Sequence, residues 1–485
     1  MSSGGGVHVT ALEEQPTTLS PREDRSLPAR LALSAAATDR GAQMRTEEFD
    51  TWLKERADAY SFEVNQIPFH EMKGWFFNSE TGNLAHQSGK FFSVEGLRVR
   101  SKDDQFPVWH QPIMNQPEVG ILGILVKEID GVLHCLMQAK MEPGNPGLIQ
   151  LSPTVQATKS NYSQVHKGSP VRYLDYFAGK EGTRVIVDVL QSECGAWFYR
   201  KRNRNMFVEY DGDVEVDDDF CWLTLGQVNE LVKRDNVVNM PARSVLSCLP
   251  QPEQDHSAQP DAFRAALAAS RDPHKGALHA NSEVLSWFTV ERSTYDLDIT
   301  RVPLYDVPHW QRTDKEIARE DGRFFRVIGV DVQAGSREVT GWSQPLFQPH
   351  GVGIAAFIVR EFGGVLHVLA QARMEGGFID VIELGPTVQC VPWNYQHVKA
   401  PLFLDTVLHA DKSRIRYAAV HAEEGGRFYE AETRYLVVEA DGEVSAEPPP
   451  GYAWVTVGQM TELLRHGQYV NSQARTLIAC VNAIG

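Results

Sequence analysis

Short apolar runs arranged in pairs are the first feature of this chain. Residues 120–126 and 132–137 are apolar and flank Ile129-Asp130-Gly131, and an Asp-Gly turn between apolar runs is a strong β-hairpin signal. A second pair of runs flanks Phe362-Gly363-Gly364. The pattern therefore predicts one hairpin in each half of the chain.

Further elements follow from the same patterning. We predict strands at 148–156 and 198–210, and helices at 225–233 and 457–465, where apolar positions recur with helical spacing. Strands outnumber helices and hairpins are present, which favours an α+β fold with mixed or antiparallel sheets. A doubly wound parallel sheet is the alternative.

Internal repetition determines the domain organisation. Five motifs of the first half recur in the second at one constant offset: Trp109-His110-Gln111-Pro112 as Trp342-Ser343-Gln344-Pro345, Gly131–His134 as Gly364–His367, Gln138–Glu142 as Gln371–Glu375, Pro153–Gln156 as Pro386–Gln389, and Asn161-Tyr162 as Asn394-Tyr395. Two copies are too few for a solenoid, so duplication of a whole domain is the interpretation.

The repeat sets the expected domain boundaries. We expect a mobile N-terminal segment over 1–44, one unit over 45–250, a linker over 251–280 and a second unit over 281–485. The linker contains an Ala-rich stretch, 263–270, that predicts a short helix.

Composition excludes several classes of function. Among 485 residues the formal net charge is −16, which argues against general affinity for nucleic acid or anionic membranes. No window approaches the roughly 18 apolar residues of a membrane span. Six widely spaced cysteines indicate buried thiols in a reducing compartment, so we expect a cytoplasmic protein. The absence of a GxGxxG, P-loop or HExxH motif disfavours dinucleotide redox chemistry, P-loop phosphoryl transfer and a metal site.

Candidate chemistry starts at the end of the predicted hairpin. On a strand Gln138, Lys140 and Glu142 share one face, and an acceptor, a cation and a carboxylate together suit a polar ligand and acid–base work. The alternative is a solvated strand face. The second unit repeats the trio as Gln371, Arg373 and Glu375.

Polar residues further along suit a hydroxyl-rich ligand. They are Gln156, Asn161, Tyr162 and His166 in the first unit and Gln389, Asn394 and Tyr395 in the second, and turn or cap chemistry is the alternative interpretation. Trp109 and Trp342 are candidates for stacking on a planar base, although a tryptophan is more often core.

A basic run is the sharpest signal. If extended, Arg200, Arg202 and Arg204 share one face and suit a diphosphate. The alternative is a basic surface strip. The second unit has Glu430, Glu432 and Arg434 there, so the two units cannot bind the same anion equally well at this strand.

The motifs together resemble those of the NDP-hexose 2,3-dehydratases of deoxysugar biosynthesis in antibiotic-producing actinobacteria. The resemblance rests on residues 109–123, 131–145, 150–162, 166–168, 190–206 and 383–390, and extends over nearly the whole chain from about residue 45. It implies a homodimer whose halves are Nudix-like, a thymidine-diphosphate-linked 4-keto-6-deoxyhexose as substrate, removal of the 2-hydroxyl as water, and no cofactor.

The roles of individual residues follow from the resemblance and the required chemistry. The hypothesis is that Glu142 or His166 is the base, that Tyr162 is the proton donor or enolate partner, and that Lys140, Arg202 and Arg204 neutralise the diphosphate. The Nudix metal box is degraded: only Leu190 and Glu193, or Val420 and Glu423, match its final part. A metal-dependent nucleoside-diphosphate hydrolase and a non-catalytic nucleotide-sugar binding protein are the alternatives.

The charge difference predicts unequal units. Only the first unit has the three arginines and the sequence Glu142-Pro143-Gly144-Asn145, so we expect catalysis in the first unit. An auxiliary nucleotide-sugar pocket is expected in the second, formed by Trp342, Gln371, Arg373, Glu375, Gln389, Asn394, Tyr395 and Arg434.

Overall fold

The computed structural model describes residues 26–101, 107–158, 171–250, 261–272, 276–295, 297–335, 340–396 and 398–484. The helices are α1 (Leu27–Ala36), α2 (Phe49–Ala59), α3 (Leu174–Phe177), α4 (Leu225–Val232), α5 (Met240–Leu246), α6 (Ala262–Ser270), α7 (Asn281–Thr294), α8 (Leu404–Leu408), α9 (Val457–Leu464) and α10 (Ser472–Ile484). No helix of this described part is long and apolar enough to cross a membrane.

Strands of the first half are β1 (Phe62–Ile67), β2 (Trp75–Phe77), β3 (Leu84–His86), β4 (Ser93–Arg100), β5 (Val108–Asn115), β6 (Gly120–Ile129), β7 (Val132–Met141), β8 (Ile149–Ser152), β9 (Val155–Ala157), β10 (Thr183–Ser192), β11 (Arg202–Tyr210) and β12 (Phe220–Thr224). Those of the second half are β13 (Asp298–Val302), β14 (Trp310–Arg312), β15 (Glu316–Arg319), β16 (Phe325–Ala334), β17 (Gly341–Pro349), β18 (Gly353–Phe362), β19 (Val365–Met374), β20 (Ile382–Gly385), β21 (Val388–Cys390), β22 (Ile415–Ala422), β23 (Glu432–Glu439) and β24 (Tyr452–Thr456).

Each half contains a seven-stranded mixed sheet, and the two sheets have the same topology. In the first, the order is β10-β11-β6-β7-β12, with β8 beside β7 and β9 beside β6, and only the β11–β6 pair is parallel. The α+β prediction with mixed sheets is confirmed.

Local signals place several elements correctly. Asp130 and Gly131 have φ of 52° and 80°, as a two-residue hairpin of type I′ requires, and β6 pairs antiparallel with β7. At the start of α4, Thr224 Oγ1 accepts from the Gln227 amide and Gln227 Oε1 accepts from the Thr224 amide, each at 3.1 Å. This capping box fixes the helix start. The predicted strand at 148–156 is instead two strands, β8 and β9, because Pro153 lies between them.

Two smaller sheets exchange a strand between the halves. Strand β1 of the first half pairs antiparallel with β16, and β13 of the second half pairs antiparallel with β4. Strand-to-strand hydrogen bonds therefore run in both directions between the two sequence repeats. The largest hydrophobic cluster likewise contains buried residues of both halves, among them Ile124, Val245, Phe357 and Leu477.

Two fully buried arginines, Arg243 in α5 and Arg475 in α10, form hydrogen bonds between the halves. Arg475 Nε donates to Ser244 Oγ at 2.9 Å and its Nη2 donates to the Ser192 carbonyl at 2.5 Å. Arg243 Nη2 donates to the Ala422 carbonyl at 2.7 Å. These charge-assisted bonds give the buried guanidinium groups partners in the opposite half.

The N-terminal and linker expectations need correction. Residues 27–36 belong to α1, whose Leu31 and Ser34 are buried, because Ser34 Oγ donates to the Leu133 carbonyl and accepts from the Leu225 amide. In the second half Ser270 of α6 accepts equivalently from the Val457 amide at 2.9 Å. Helix α6 is thus the repeat counterpart of α1, not an element of a linker. Residues 1–25 and 251–260 lie outside the described part.

Candidate functional site

Glu142 lies directly after β7 and is only 4% exposed. Its Oε1 accepts from Gln156 Nε2 at 2.9 Å, while Oε2 has no hydrogen-bond partner among the residues that the structure describes. Lys140 Nζ donates to the Gln156 carbonyl at 3.3 Å. We call Glu142, Gln156 and Lys140 the Glu142 site. A buried carboxylate oxygen without a partner is costly, so it points to a group that binds there.

Asn239 orients Gln156 and is not among the residues predicted from the sequence. Asn239 Nδ2 donates to Gln156 Oε1 at 3.3 Å, and its Oδ1 accepts from the Ala242 amide as the N-cap of α5. Asn471 caps α10 and donates to Gln389 Oε1 at 2.8 Å in the same way. A repeated Asn-x-x-Ala-Arg, at 239–243 and 471–475, is the signal that could have found both residues.

A turn of the second half completes the surroundings of the Glu142 site. The Gly144 amide donates to the Gly425 carbonyl and the Glu430 amide donates to the Gly144 carbonyl, each at 2.8 Å. The turn at 424–428 therefore lies against the loop that follows Glu142. It brings Glu424 to the Glu142 site, and Arg427 of the same turn lies near Glu424.

Burial dominates the electrostatics at this junction. It raises the pKa of Glu424 to about 7, with nearby Glu193 contributing in the same direction. Burial also raises the pKa of Glu193 and lowers the pKa of Lys201. The attraction between these opposite charges partly offsets both shifts. Shifted pKa values of this kind are typical of functional sites.

The equivalent carboxylate of the second half is fully engaged. Glu375 Oε1 accepts from Arg373 Nε at 2.9 Å and from Gln389 Nε2 at 3.0 Å. Its Oε2 accepts from the Ala196 amide, which belongs to the first half, at 3.0 Å. We call these residues the Glu375 site. Of these two equivalent carboxylates, only Glu142 keeps an oxygen without a partner among the described residues, so the two sites are chemically unequal.

Glu383, beside the Glu375 site, makes the free energy of unfolding depend on pH. Burial raises its pKa from 4.5 to about 7, so the folded state holds a proton that the unfolded chain releases. The resulting stabilisation is present below pH 4.5 and is lost as the pH rises to 7, on the order of 3 kcal/mol.

Glu383→Gln is therefore expected to flatten the dependence of the unfolding free energy on pH. Its advantage over the wild type should grow from pH 4.5 to pH 7, as measured by urea unfolding. Gln150, also fully buried, occupies the equivalent position of the first half, so the repeat itself carries an amide side chain of this length at that position. Exposed Glu447→Gln is the control, and an unchanged slope in Glu383→Gln would contradict the assignment.

The basic run is not one continuous strand. Arg200 lies in a turn with φ of 51°, and β11 begins at Arg202, so the expectation that three guanidinium groups share one strand face is wrong at Arg200. The Arg200 amide donates to the Gly377 carbonyl at 2.7 Å, which is a contact between halves that fixes this turn. With the Gln468 amide in the orientation that satisfies its neighbours, Arg202 Nη1 donates to the Gln468 side-chain oxygen at 3.2 Å, and Arg204 forms a bidentate pair with Asp188.

The remaining candidates lie at several places. Trp109 Cζ2 would lie 3.9 Å from a methyl group on Gly376 of the second half, and Trp342 packs against a cluster that includes Met141 of the first. Asn394 Oδ1 accepts from the Phe324 amide, and Arg434 is exposed on β23. Burial raises the pKa of Tyr395 despite nearby Arg373.

Some predicted residues are not described. Asn161, Tyr162 and His166 lie in 159–170, outside the described residues. Gln138 and Gln371 are half-buried at equivalent positions of β7 and β19, Gln138 in register with Ser152 and Gln371 with Gly385.

Comparison with known proteins adds independent information. The family model described as NDP-hexose 2,3-dehydratase matches residues 46–249 and 281–481. A relative from Amycolatopsis orientalis is 53% identical over 475 residues, covering 96% of each chain. One from Saccharopolyspora spinosa is 52% identical, covering 90% of this chain and 92% of its own, and one from Streptomyces violaceoruber is 47% identical, covering 90% and 97%. All three are named dTDP-4-dehydro-6-deoxy-alpha-D-glucopyranose 2,3-dehydratase.

Proposed function

This chain belongs to the NDP-hexose 2,3-dehydratase family, and from that premise we propose that it removes the 2-hydroxyl of a dTDP-linked 4-keto-6-deoxyglucose as water. The product is the dTDP-linked 3,4-diketo-2,6-dideoxyhexose, an intermediate for deoxysugars of antibiotics. The observation that carries the proposal is the family match over both halves. The buried Glu142 oxygen without a described partner supports it, since the reaction needs a base in a dry site.

The chemistry requires a base, an acid and a donor to the enolate oxygen. The 4-keto group acidifies the proton at carbon 3, a base removes it, and the 2-hydroxyl leaves by β-elimination. The enol then tautomerises to the diketone. We propose Glu142 or His166 as the base and Tyr162 as proton donor or enolate partner. The reaction has no net redox change, so it requires no nicotinamide.

We place catalysis in the first half. Glu375 is paired with Arg373 and accepts a main-chain amide, so its carboxylate is held by the protein. Glu142 has one oxygen left for substrate among the described residues. The Glu375 site is then an auxiliary nucleotide-sugar pocket, with Arg373 and Tyr395 near its centre.

Membership of this family also supports proposals about the fold of each half, the localisation and the oligomeric state. We propose that each seven-stranded mixed sheet with its helices is a Nudix-like unit, that the protein is cytoplasmic and that it is a homodimer. The six cysteines form no disulfide, and five of them are buried, which supports a reducing compartment. Light scattering on the purified protein tests the dimer, and a monomeric mass at micromolar concentration would contradict it.

Incubation with the dTDP-linked 4-keto sugar tests the activity. We expect mass spectrometry to detect loss of one water without added divalent metal or nicotinamide. Magnesium-dependent release of thymidine monophosphate would instead indicate a Nudix-type hydrolase. Binding of the sugar nucleotide without turnover would indicate a binding protein.

Arg202→Ala combined with Arg204→Ala tests the diphosphate contact. Two charge-assisted hydrogen bonds of about 1.5–3 kcal/mol each imply an affinity loss of at least about a hundredfold, measured by titration calorimetry with dTDP. Arg172→Ala is the matched control because Arg172 forms the same bidentate pair, with Asp217, elsewhere on the surface. Unchanged affinity in the double variant would reduce Arg202 and Arg204 to surface ion pairs.

A further inference from the structure

Two carboxyl groups from opposite halves converge on the same point. A methyl group on Gly426 would lie 3.4 Å from Glu142 Oε1 and 3.7 Å from Glu424 Oε1. The two oxygens are therefore no more than about 7 Å apart, and paired carboxyl groups of glycosidases act on one sugar ring at separations of about 5–9 Å. Glu142 is 4% exposed with Oε2 lacking a described partner, so the junction is a built site and not a surface cluster.

The cations near these carboxyl groups are tied to other atoms. Lys201 Nζ donates to the Glu118 carbonyl, and Arg427 Nε donates to Gln116 Oε1 at 3.0 Å. Neither forms an ion pair with Glu142 or Glu424 within the described part of the chain. The Glu424 side chain makes no hydrogen bond to any described residue, so its carboxyl group is available to a ligand.

Among the described residues, a carboxyl group contributed by the opposite half is present at the Glu142 site only. Glu424 belongs to the turn at 424–428, which reaches the Glu142 site, and the equivalent turn of the first half has Cys194 in its place. Cys194 is buried and lies near Glu375. At this turn position the Glu375 site therefore has a thiol where the Glu142 site has a carboxyl group, and the further carboxyl group beside Glu375, that of Glu383, comes from the same half.

We propose that Glu424, contributed by the second half, donates the proton to the departing 2-hydroxyl in the site that Glu142 forms in the first half. The inference rests on the proposed dehydratase function and deepens it. It assigns the acid to Glu424.

The step balances. Glu142 takes the proton from carbon 3 and the electron pair of that bond forms the enolate. The enolate then collapses, a double bond forms between carbons 2 and 3, and the bond from carbon 2 to oxygen breaks with its electron pair on oxygen. Glu424 protonates that oxygen to give water. In the tautomerisation carbon 2 gains the proton from Glu142, and the enol hydroxyl returns one to Glu424, which restores both groups.

The environment of Glu424 favours its protonated form up to about neutral pH. Burial and then the charge of Glu193 raise its pKa to about 7, Glu142 acts in the same direction, and Arg427 and Lys201 oppose them. A carboxyl group whose surroundings favour the protonated form is suited to act as a general acid.

Deuterium exchange separates the two roles. In D₂O, Glu424→Gln should lose dehydration by about 10²–10⁴-fold while still exchanging the carbon-3 proton of the substrate for deuterium, because deprotonation precedes departure of the hydroxyl. Glu142→Gln should lose both. Glu430→Gln, the same change on an exposed side chain of the adjoining chain segment, should dehydrate at the wild-type rate.

The outcomes are distinct from those that test the dehydratase itself. Dehydration by Glu424→Gln at the wild-type rate, or loss of exchange together with dehydration, would overturn the acid assignment while the wild type still forms water. A Glu424→Gln variant that fails to fold is replaced by Glu424→Ala with added formate. Rescue of dehydration supports the assignment, and no rescue overturns it.

Discussion

Glu142→Gln is expected to lower kcat by about 10²–10⁴-fold while the melting temperature stays close to that of the wild type. The amide keeps the shape of the side chain and its contact with Gln156, but it cannot take a proton. Dehydration is measured by mass spectrometry at saturating substrate, and circular dichroism monitors the melting temperature. This result is expected if Glu142 contacts the substrate, and not if it only stabilises the fold.

Glu375→Gln is the matched comparison because it makes the same change at the equivalent position. It removes a buried ion pair with Arg373, so the melting temperature should fall by an amount that corresponds to about 3–5 kcal/mol. Its kcat should remain within a few-fold of the wild type below that temperature. Loss of turnover in Glu375→Gln with full activity in Glu142→Gln would place the active site in the second half.

Gly144→Ala is expected to be among the most destabilising single substitutions in this protein. An added Cβ would lie 1.7 Å from the Phe428 carbonyl oxygen and 2.7 Å from that of Gly425, and both acceptors are backbone atoms held by the opposite half. The two halves would have to move apart along this contact. We expect a loss of more than about 4 kcal/mol in the free energy of unfolding, measured by urea titration.

Gly442→Ala is its control, because Gly442 has no neighbour within 4 Å of an added Cβ and no left-handed backbone. It should change stability by less than about 0.5 kcal/mol. A Gly144→Ala variant as stable as Gly442→Ala would mean that the loop after Glu142 does not contact the turn at 424–428 in solution.

Part of the candidate site could be predicted from residue types and their spacing. Glu142, Lys140 and Gln156 were predicted from a strand face and a repeat, and the structure brings all three together. Glu424 was not predicted, because it lies more than two hundred residues away and its counterpart in the repeat is a cysteine. No motif of the first unit points to it.

The basic run shows the opposite case. Alternation would place Arg200, Arg202 and Arg204 on one face only if all three were extended, and Arg200 is in the left-handed region. The Arg200 amide donates to the Gly377 carbonyl of the opposite half. Glu430 has the same left-handed conformation, and its amide donates to the Gly144 carbonyl. A contact between halves thus decides the backbone where local pattern predicts a strand.

What the sequence determines by itself are the features that depend on near neighbours. The hairpin at Asp130-Gly131, the capping boxes that begin α4 and α9, and the repeat are all of this kind, since turn conformation and cap hydrogen bonds involve residues a few positions apart.

Only the tertiary structure decides which half completes which site. The exchange of β1 and β13, the close approach at Gly144 and the meeting of Glu142 with Glu424 join residues far apart in the chain. Because the two units are similar, each strand or turn could pair with an element of its own half or with the equivalent element of the other half. The local sequence pattern does not distinguish these two partners. The choice is made by packing across the interface, where a glycine without a side chain and a buried charge that requires a partner select one arrangement.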